Sequence, residues 1–576
     1  EPAELPTCTA ASDGPDAGPL SVSEAVEAAF GGRGPPGGAL AGALLLGAPR
    51  YQRRVLQLCG LAKVVMAEAI FLPIFTHGKY EPPDCAAPRA SWPPPERGSV
   101  AHEWALCCGR EWLLAAVTSA FFLGCLAGSA GGGVLSDRLG RRPVVLWGSA
   151  ANAASVLLSA AAPNVAAYAV LRFVTGAANI AVILASFTLA VEWVPAVWRS
   201  SLSGFLFSCS ALGELALVPV AFAVARAFSV DWRPLTVAVG LLAVLPVPLL
   251  LRGLPESPHW LHARRRGAAA ATLLQEAAAS NARSDSAGPF SRAADALRLR
   301  GLGEAPGPAK AQKAELGRCA ALQRLETWAM ALLWLTASMA FYGISLAAGS
   351  LSHGLGLGAS AALSACSEVP SALAAACLLD QRCLGRRLST CALFALGGAC
   401  LALLPGLQGA AAPLLAVLGK FFLAAAFDGI YVYASEVFET AVRGSAMGFC
   451  SFAARVGSVL APEAIAFLTA GQVMLLFGAA ALASAAVCRT CLPETLKSAA
   501  GRQPAPYTYD KVKTDSTEPP TSAELATLPS ERGPGSTEEG GSGSSRRSSS
   551  SCSASSASGS SDGSWCICDG HAGERP

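Results

Sequence analysis

The sequence predicts an all-α membrane protein with about twelve transmembrane helices in two repeated six-helix bundles. Three observations predict it. Only 14% of the 576 residues are charged and 52% are hydrophobic, against roughly a quarter charged in an ordinary soluble domain. The charges cluster, leaving uncharged runs such as Val144–Pro163 and Leu235–Leu251 that match the roughly 20 apolar residues needed to cross a hydrocarbon core. Segments of the first half recur, in the same order, in the second. A soluble protein with several buried helices is the competing reading; so little charge could not wet its surface.

Spans read near 55–75, 113–135, 143–162, 165–190, 201–225, 234–252, 328–350, 358–379, 388–406, 412–435, 446–468 and 473–492. A polar insertion, 255–325, divides them six and six. The domains are therefore an Ala/Gly/Pro-rich N-terminus (1–50), a first bundle (51–254) with an external loop (76–110), the insertion, a second bundle (326–496) and a Ser-rich tail (497–576). Residues 1–50 lack a basic start followed by an apolar core, so no cleavable leader is expected there. Residues 262–300 read as short cytoplasmic helices, and the tail is too poor in apolar groups to fold. Several of the 19 cysteines, among them Cys125, Cys209 and Cys450, fall inside apolar segments, where Cys acts as a small hydrophobe. No Cys/His set has metal-ligand spacing.

Loop charges alternate. Arg53 and Arg54 precede span one, Arg138, Arg141 and Arg142 follow span two, and Arg199 follows span four. Arg264, Arg265 and Arg266 follow span six, Arg386 and Arg387 span eight, and Arg443 span ten. The positive-inside rule then puts both termini in the cytoplasm. Arg226 and Arg233, between spans five and six, break the pattern.

The repeat is specific. Glu192 to Arg199, followed by Gly204, recurs as Glu436 to Arg443, followed by Gly448. Gly140-Arg141-Arg142 recurs as Gly385-Arg386-Arg387, and Pro255-Glu256-Ser257 as Pro493-Glu494-Thr495. Two bundles related by an axis along the membrane normal would place a substrate site between them at mid-depth. Asp137, Arg138, Arg141, Arg142, Glu192, Arg199, Glu256, Glu436 and Arg443 all fall at cytoplasmic helix ends. Ion pairs among them could close an inner gate, with Asp137 facing a helix N-terminus or an arginine of the other half. The bland alternative is a topology signal with solvated charge.

These residues resemble the organic cation, organic anion and carnitine transporters, solute carrier family 22 of the major facilitator superfamily. Gly133 to Arg142 is similar to the superfamily's signature loop. Pro255-Glu-Ser-Pro-His-Trp-Leu261 is similar to a motif shared with sugar porters, His259 departing from it. Glu103-Trp104 with Cys108, Tyr51-Gln52, Asp231-Trp232-Arg233, Phe341-Tyr342-Gly343, Glu368-Val-Pro370 and Lys420-Phe421 fit the family itself, over about residues 51–496. The resemblance implies a major facilitator fold. The external loop is short for the family and lacks an Asn-x-Ser/Thr sequon. It holds Cys85, Cys107 and Cys108, of which Cys85 and Cys108 are the expected disulfide, though three cysteines leave the pairing open.

Ionisable groups at bilayer depth cost roughly 2.5–3.5 kcal/mol each on insertion scales, so each is a functional candidate. They are Lys63, Glu68, Arg172, Glu214, Glu368, Lys420, Asp428 and Arg455. By resemblance, Glu368 sits at a carboxylate position of the cation transporters, and Arg455 where anion and carnitine transporters carry Arg; Ala372 stands where anion transporters carry a second positive charge. Asp428 is two turns from Lys420 and from Glu436, so it can share their face. The expected pocket has Glu368 and Asp428 on one side and Arg455 on the other, with Lys420 and Glu214 nearby. Phe341, Tyr342 and Tyr431 are positioned to stack on a quaternary ammonium, with plain helix packing as the alternative for each.

The resulting expectation is alternating-access transport of a small organic ion, a zwitterion or amine such as a carnitine-like compound, at the plasma membrane. It includes no enzymatic chemistry, cofactor, metal or nucleic acid. The partners are the substrate, the lipid bilayer and a coupled Na+ or H+. An organic-anion carrier, a sugar or polyol porter and a non-transporting receptor-like member are the alternatives.

Overall fold

A computed structural model describes residues 22–30, 45, 47–78, 85, 98–195, 198–228, 231–281, 290–295, 324–347, 357–379, 381, 383–407, 411–438 and 443–495. The Ser-rich tail and most of the 76–110 loop lie outside the described residues.

Among the described residues, twelve long helices form the membrane body. The first six are α1 (Arg50–Thr76), α2 (Trp112–Leu139), α3 (Arg141–Ser159), α4 (Val165–Val191), α5 (Arg199–Phe228) and α6 (Trp232–Gly253). The second six are α7 (Leu325–Leu346), α8 (Leu357–Leu379), α9 (Gly385–Leu403), α10 (Ala411–Val437), α11 (Arg443–Phe467) and α12 (Ala470–Cys491). Eleven are long and apolar enough to span. The exception is α3, which spends its first turn on Arg141 and Arg142 and carries Asn152 inward.

Packing repeats between the halves. In the first, α1 packs on α5, and α3 and α2 pack on α4; in the second, α7 packs on α11, and α9 and α8 pack on α10. Two glycines make one of these correspondences visible in atoms. A methyl group on Gly213 of α5 would strike the Val64 carbonyl of α1, and one on Gly457 of α11 would strike the Leu335 carbonyl of α7. Small residues let membrane helices approach this closely where no hydrophobic drive pulls them together. The halves meet along α2 with α11 and α5 with α8.

Two helix breaks shape the interior. Pro73 in α1 has no N–H, so the Ala69 carbonyl four residues earlier loses its donor. The buried Arg172 of α4 supplies one, Nη1 donating to Ala69 O at 2.9 Å. In α8 the helix interrupts at Ser367, between Leu357–Cys366 and Glu368–Leu379. Pro370 lacks the N–H that Cys366 would use, which favours a break there. The break delivers Glu368 to the interior.

At the basic end, short helices Val22–Ala29, Pro258–Ala263 and Gly267–Ser280 gather with residues 290–295 beneath the first half. Trp193 and Phe290 are fully buried there, and Phe30 stacks edge-on against Trp198 at 4.9 Å. The Ser23 hydroxyl lies 3.2 Å from His259 Nε2. At the opposite end, Cys85 is bonded to Cys108, and Cys107 is buried.

Candidate functional site

The basic end carries the same small assembly twice. Gly140 sits at φ 110° and Gly385 at φ 72°, a left-handed region where a side chain is strained. A Cβ on either would also strike a carboxylate, Glu256 or Glu494. Those carboxylates cap the next helix. Glu256 accepts from the backbone N–H of Arg141 at 2.9 Å and of Arg142 at 3.2 Å. Glu494 accepts from Arg386 at 2.8 Å and Arg387 at 3.1 Å. A negative group at a helix N-terminus satisfies free N–H donors and the macrodipole together. The first arginine of each pair then reaches sideways. Arg141 lies 3.2 Å from both Asp137 and Glu192, and Arg386 lies 3.0 Å from Glu436.

Each of these pairs joins residues of one half. Asp137 meets Arg141 of its own helix corner rather than an arginine of the other bundle. Arg138 is exposed, and its carbonyl accepts from Arg264 at 3.2 Å. Arg142 donates to the Leu251 carbonyl at 2.8 Å. Arg199 opens α5 close to His259. The side chain of Arg443 lies outside the described residues.

At the opposite end, the exceptional Arg233 is accounted for. Its guanidinium pairs with Glu103 at 2.5 Å and donates to the carbonyls of Ala160 and Ala162 beyond α3. Trp232 Nε1 also donates to Glu103, at 2.7 Å. Two motifs far apart in sequence, Glu103-Trp104 and Trp232-Arg233, thus form one clasp. Here the halves are also joined, Ser119 of α2 donating to Glu463 of α11 at 2.9 Å.

Between the bundles at mid-depth lies a cavity of about 110 Å³. The second half supplies Phe341, Tyr342, Glu368, Asp428, Tyr431 and Arg455 to its wall; the first supplies Lys63, Asn179, Phe121, Phe122 and Phe207. Six residues singled out from sequence therefore share one void. Arg455 is 5% exposed and lies in electrostatic reach of Tyr342 and Tyr431. Its Nε has no partner, and among the described residues no carboxylate lies within ion-pair distance of it. Lys63 reaches over the Phe207 ring at 4.5 Å and faces Asp428 electrostatically.

Lys420 and Glu214 do not line this cavity. Both are buried beside it, at 0% and 3% exposure, because Lys420 is held in place: its ammonium is 2.6 Å from Glu368, 3.3 Å from Glu214 and 2.7 Å from Ser364 Oγ. Lys420 also lies over the Phe341 ring at 5.3 Å, so the chain's own cation occupies a face expected to receive substrate. Asp428 reaches the cavity, facing Lys63 and the Lys420 partner Glu368, whereas Glu436 is paired with Arg386. The tyrosines lie in electrostatic reach of Arg455, and Tyr431 stacks on Trp334 at 4.2 Å. Arg172, a candidate by its charge, donates through Nη1 to the carbonyl Pro73 frees, while its Nε and Nη2 are buried without a hydrogen-bond partner. Lys63, a functional candidate from its charge at bilayer depth, also lines the cavity, whereas sequence reasoning passed over Phe121, Phe122 and Phe207, whose spacing resembles that of any lipid-facing aromatic.

Comparison with known proteins agrees with this architecture. The family model "Sugar (and other) transporter" matches residues 83–501. Solute carrier family 22 member 15 of Xenopus tropicalis is 31% identical over 419 residues, 69% of this chain and 73% of that protein. Organic anion transporter 3 of Mus musculus is 29% identical over 413 residues, 70% of this chain and 75% of that one. Among solved structures, the proton:xylose symporter XylE bound to 6-bromo-6-deoxy-D-glucose superposes with a TM-score of 0.55 at 19% identity, covering 77% of this chain and 96% of that one; this likeness establishes the fold. With two six-helix bundles around a shared cavity that charged and aromatic side chains line, the chain is a multi-pass membrane transporter and belongs to solute carrier family 22 of the major facilitator superfamily.

Proposed function

We propose that this transporter carries small organic ions bearing an anionic and a cationic group, carnitine-like betaines among them, by alternating access across the plasma membrane with both termini cytoplasmic. The observation that carries the reading is Arg455. A buried guanidinium with a free Nε and no carboxylate partner is an uncompensated charge at the cavity wall, and a substrate carboxylate would satisfy it bidentately. Glu368 and Asp428 on the same wall offer the complementary charge. The aromatic residues Phe122 and Tyr342 of opposite halves, with ring centroids 4.9 Å apart, form part of its wall.

A second reading, an organic-anion carrier, rests on Lys63 and Arg455 both lining the cavity. Uptake into oocytes of labelled carnitine, tetraethylammonium, p-aminohippurate and glucose separates the readings. Carnitine uptake above water-injected controls supports the proposal. Uptake of p-aminohippurate alone favours the anion carrier, glucose alone a polyol porter, and no uptake of any class a receptor-like role.

A further inference from the structure

Lys420 joins the halves through a charge count that does not balance. Its ammonium belongs to α10 of the second half, Glu368 to α8 of the same half, and Glu214 to α5 of the first. All three are at least nine-tenths buried. One ammonium therefore faces two carboxyl groups, at 2.6 and 3.3 Å. If both were ionised, one negative charge would stand uncompensated in a low-dielectric interior, which is strongly destabilising.

The oxygens tell the same story. Glu214 Oε2 is buried with no hydrogen-bond donor, and Glu368 Oε1, though close to Lys420, is not aligned to accept from it. Both carboxyl groups converge on the one Lys420 nitrogen, which holds them within reach of each other. Two carboxyl groups can hydrogen-bond only when one of them carries a proton, since an ionised carboxylate is acceptor-only. Lys63 of α1 faces Asp428 of α10, Asp428 also faces Glu368, and among the described residues Lys420 is the one cation within ion-pair distance of either glutamate. A metal cation is the wrong ligand, because the Lys420 ammonium already fills the position between the carboxylates.

We propose that Glu214 and Glu368 hold one exchangeable proton between them, and that H+ is the ion coupled to the transport cycle. The proton joins a carboxylate oxygen from solvent as α5 and α8 come together at the disulfide end. When they part, that O–H bond breaks and the proton returns to water. The coupling rests on the alternating-access reading above; the bound proton does not.

The full-length protein in nanodiscs tests the proton without any substrate. Infrared spectra at neutral pH should show the carbonyl stretch of a protonated carboxyl group, lost in Glu214→Gln and in Glu368→Gln, each checked for folding by size-exclusion chromatography. Spin labels on the disulfide-end turns of α5 and α8 should move apart as pH rises, and stay together at all pH in Glu214→Gln. A wild-type spectrum without that band, a band surviving both substitutions, or a distance indifferent to pH overturns the proposal. With whichever probe the oocyte screen finds transported, external acidification should change uptake by up to about tenfold per pH unit, the limit for one proton, and by less than about twofold in Glu214→Gln. Absent uptake with the band intact would count against the carrier reading and leave the proton site standing; uptake indifferent to pH would overturn the coupling.

Discussion

Glu256 accepts a hydrogen bond from the backbone N–H of Arg141 at 2.9 Å, and the pair is duplicated in the second half by Glu494 and Arg386 at 2.8 Å. The carboxylate caps a spanning helix whose first N–H groups would otherwise be unsatisfied. Glu256→Ala should lower stability by about 1–2 kcal/mol, and Glu494→Ala by a similar amount. Thermal melts of detergent-solubilised protein measure both. Glu256→Gln keeps an acceptor and should lose less. Equal melting of all three variants and wild type would show that the caps are idle.

Gly213 presses on the Val64 carbonyl, and Gly457 does the same at Leu335. Gly213→Val and Gly457→Val should each destabilise their bundle by at least the roughly 1–3 kcal/mol typical of overpacking, seen as loss of the monodisperse peak in size-exclusion chromatography. Gly131 has open space around it, so Gly131→Val is the control that should remain monodisperse. If Gly213→Val behaves like that control, the close approach of α1 and α5 is not needed.

Arg455 should set affinity for the anionic group of the substrate. Removing a charge-assisted pair worth about 1.5–3 kcal/mol predicts a rise in KM of roughly 10- to 150-fold for carnitine in Arg455→Ala. Arg455→Lys keeps the charge but not the fork and should fall between. Tetraethylammonium, lacking a carboxylate, is the comparison. An equal loss for both compounds would mean that Arg455 holds the bundle and not the substrate.

His259 lies on the short Pro258–Ala263 helix, outside the spans, where burial holds its imidazole below the ordinary value, the charges of His262, Arg199 and Arg141 adding to the effect. A depressed folded-state pKa means the unfolded chain takes up the proton first. His259 therefore contributes stability above the ordinary imidazole range, and that contribution fades as pH falls toward the folded value. Acidification from pH 7.5 to 5.5 should loosen the Val22–Ala29 helix, whose Ser23 meets His259, as faster amide exchange in that helix. In His259→Gln the exchange should depend less on pH. Identical profiles for both proteins would remove His259 as the cause.

Much of the site was legible before any coordinates. Arg455, Glu368 and Asp428 stood out because a charge at bilayer depth is expensive, and all three line the cavity. Lys420 and Glu214 stood out for the same reason, yet their expense is met by each other. Charge in an apolar run announces that a partner exists without saying which partner. Arg172 is the sharpest case. Its donor goes to a carbonyl exposed by Pro73, about a hundred residues earlier in the chain, and only the crossing of α4 over α1 brings them together. Lys63 and Phe207 were equally ambiguous, since helix rotation decides which side chains face the cavity and which face lipid.

By itself the sequence determined the number and limits of the helices, the two-fold repeat and the glycines and carboxylates of its basic corners. Those follow from local terms: apolar transfer along a segment, backbone freedom at one residue, and capping a few residues away. The tertiary structure decided which charges neutralise one another, that Arg141 pairs with Asp137 and Glu192 and Arg386 with Glu436, and that Lys420 bridges the bundles at Glu214. Those depend on the tilt and rotation of helices hundreds of residues apart, where an error of one face exchanges a paired ion for an orphaned one.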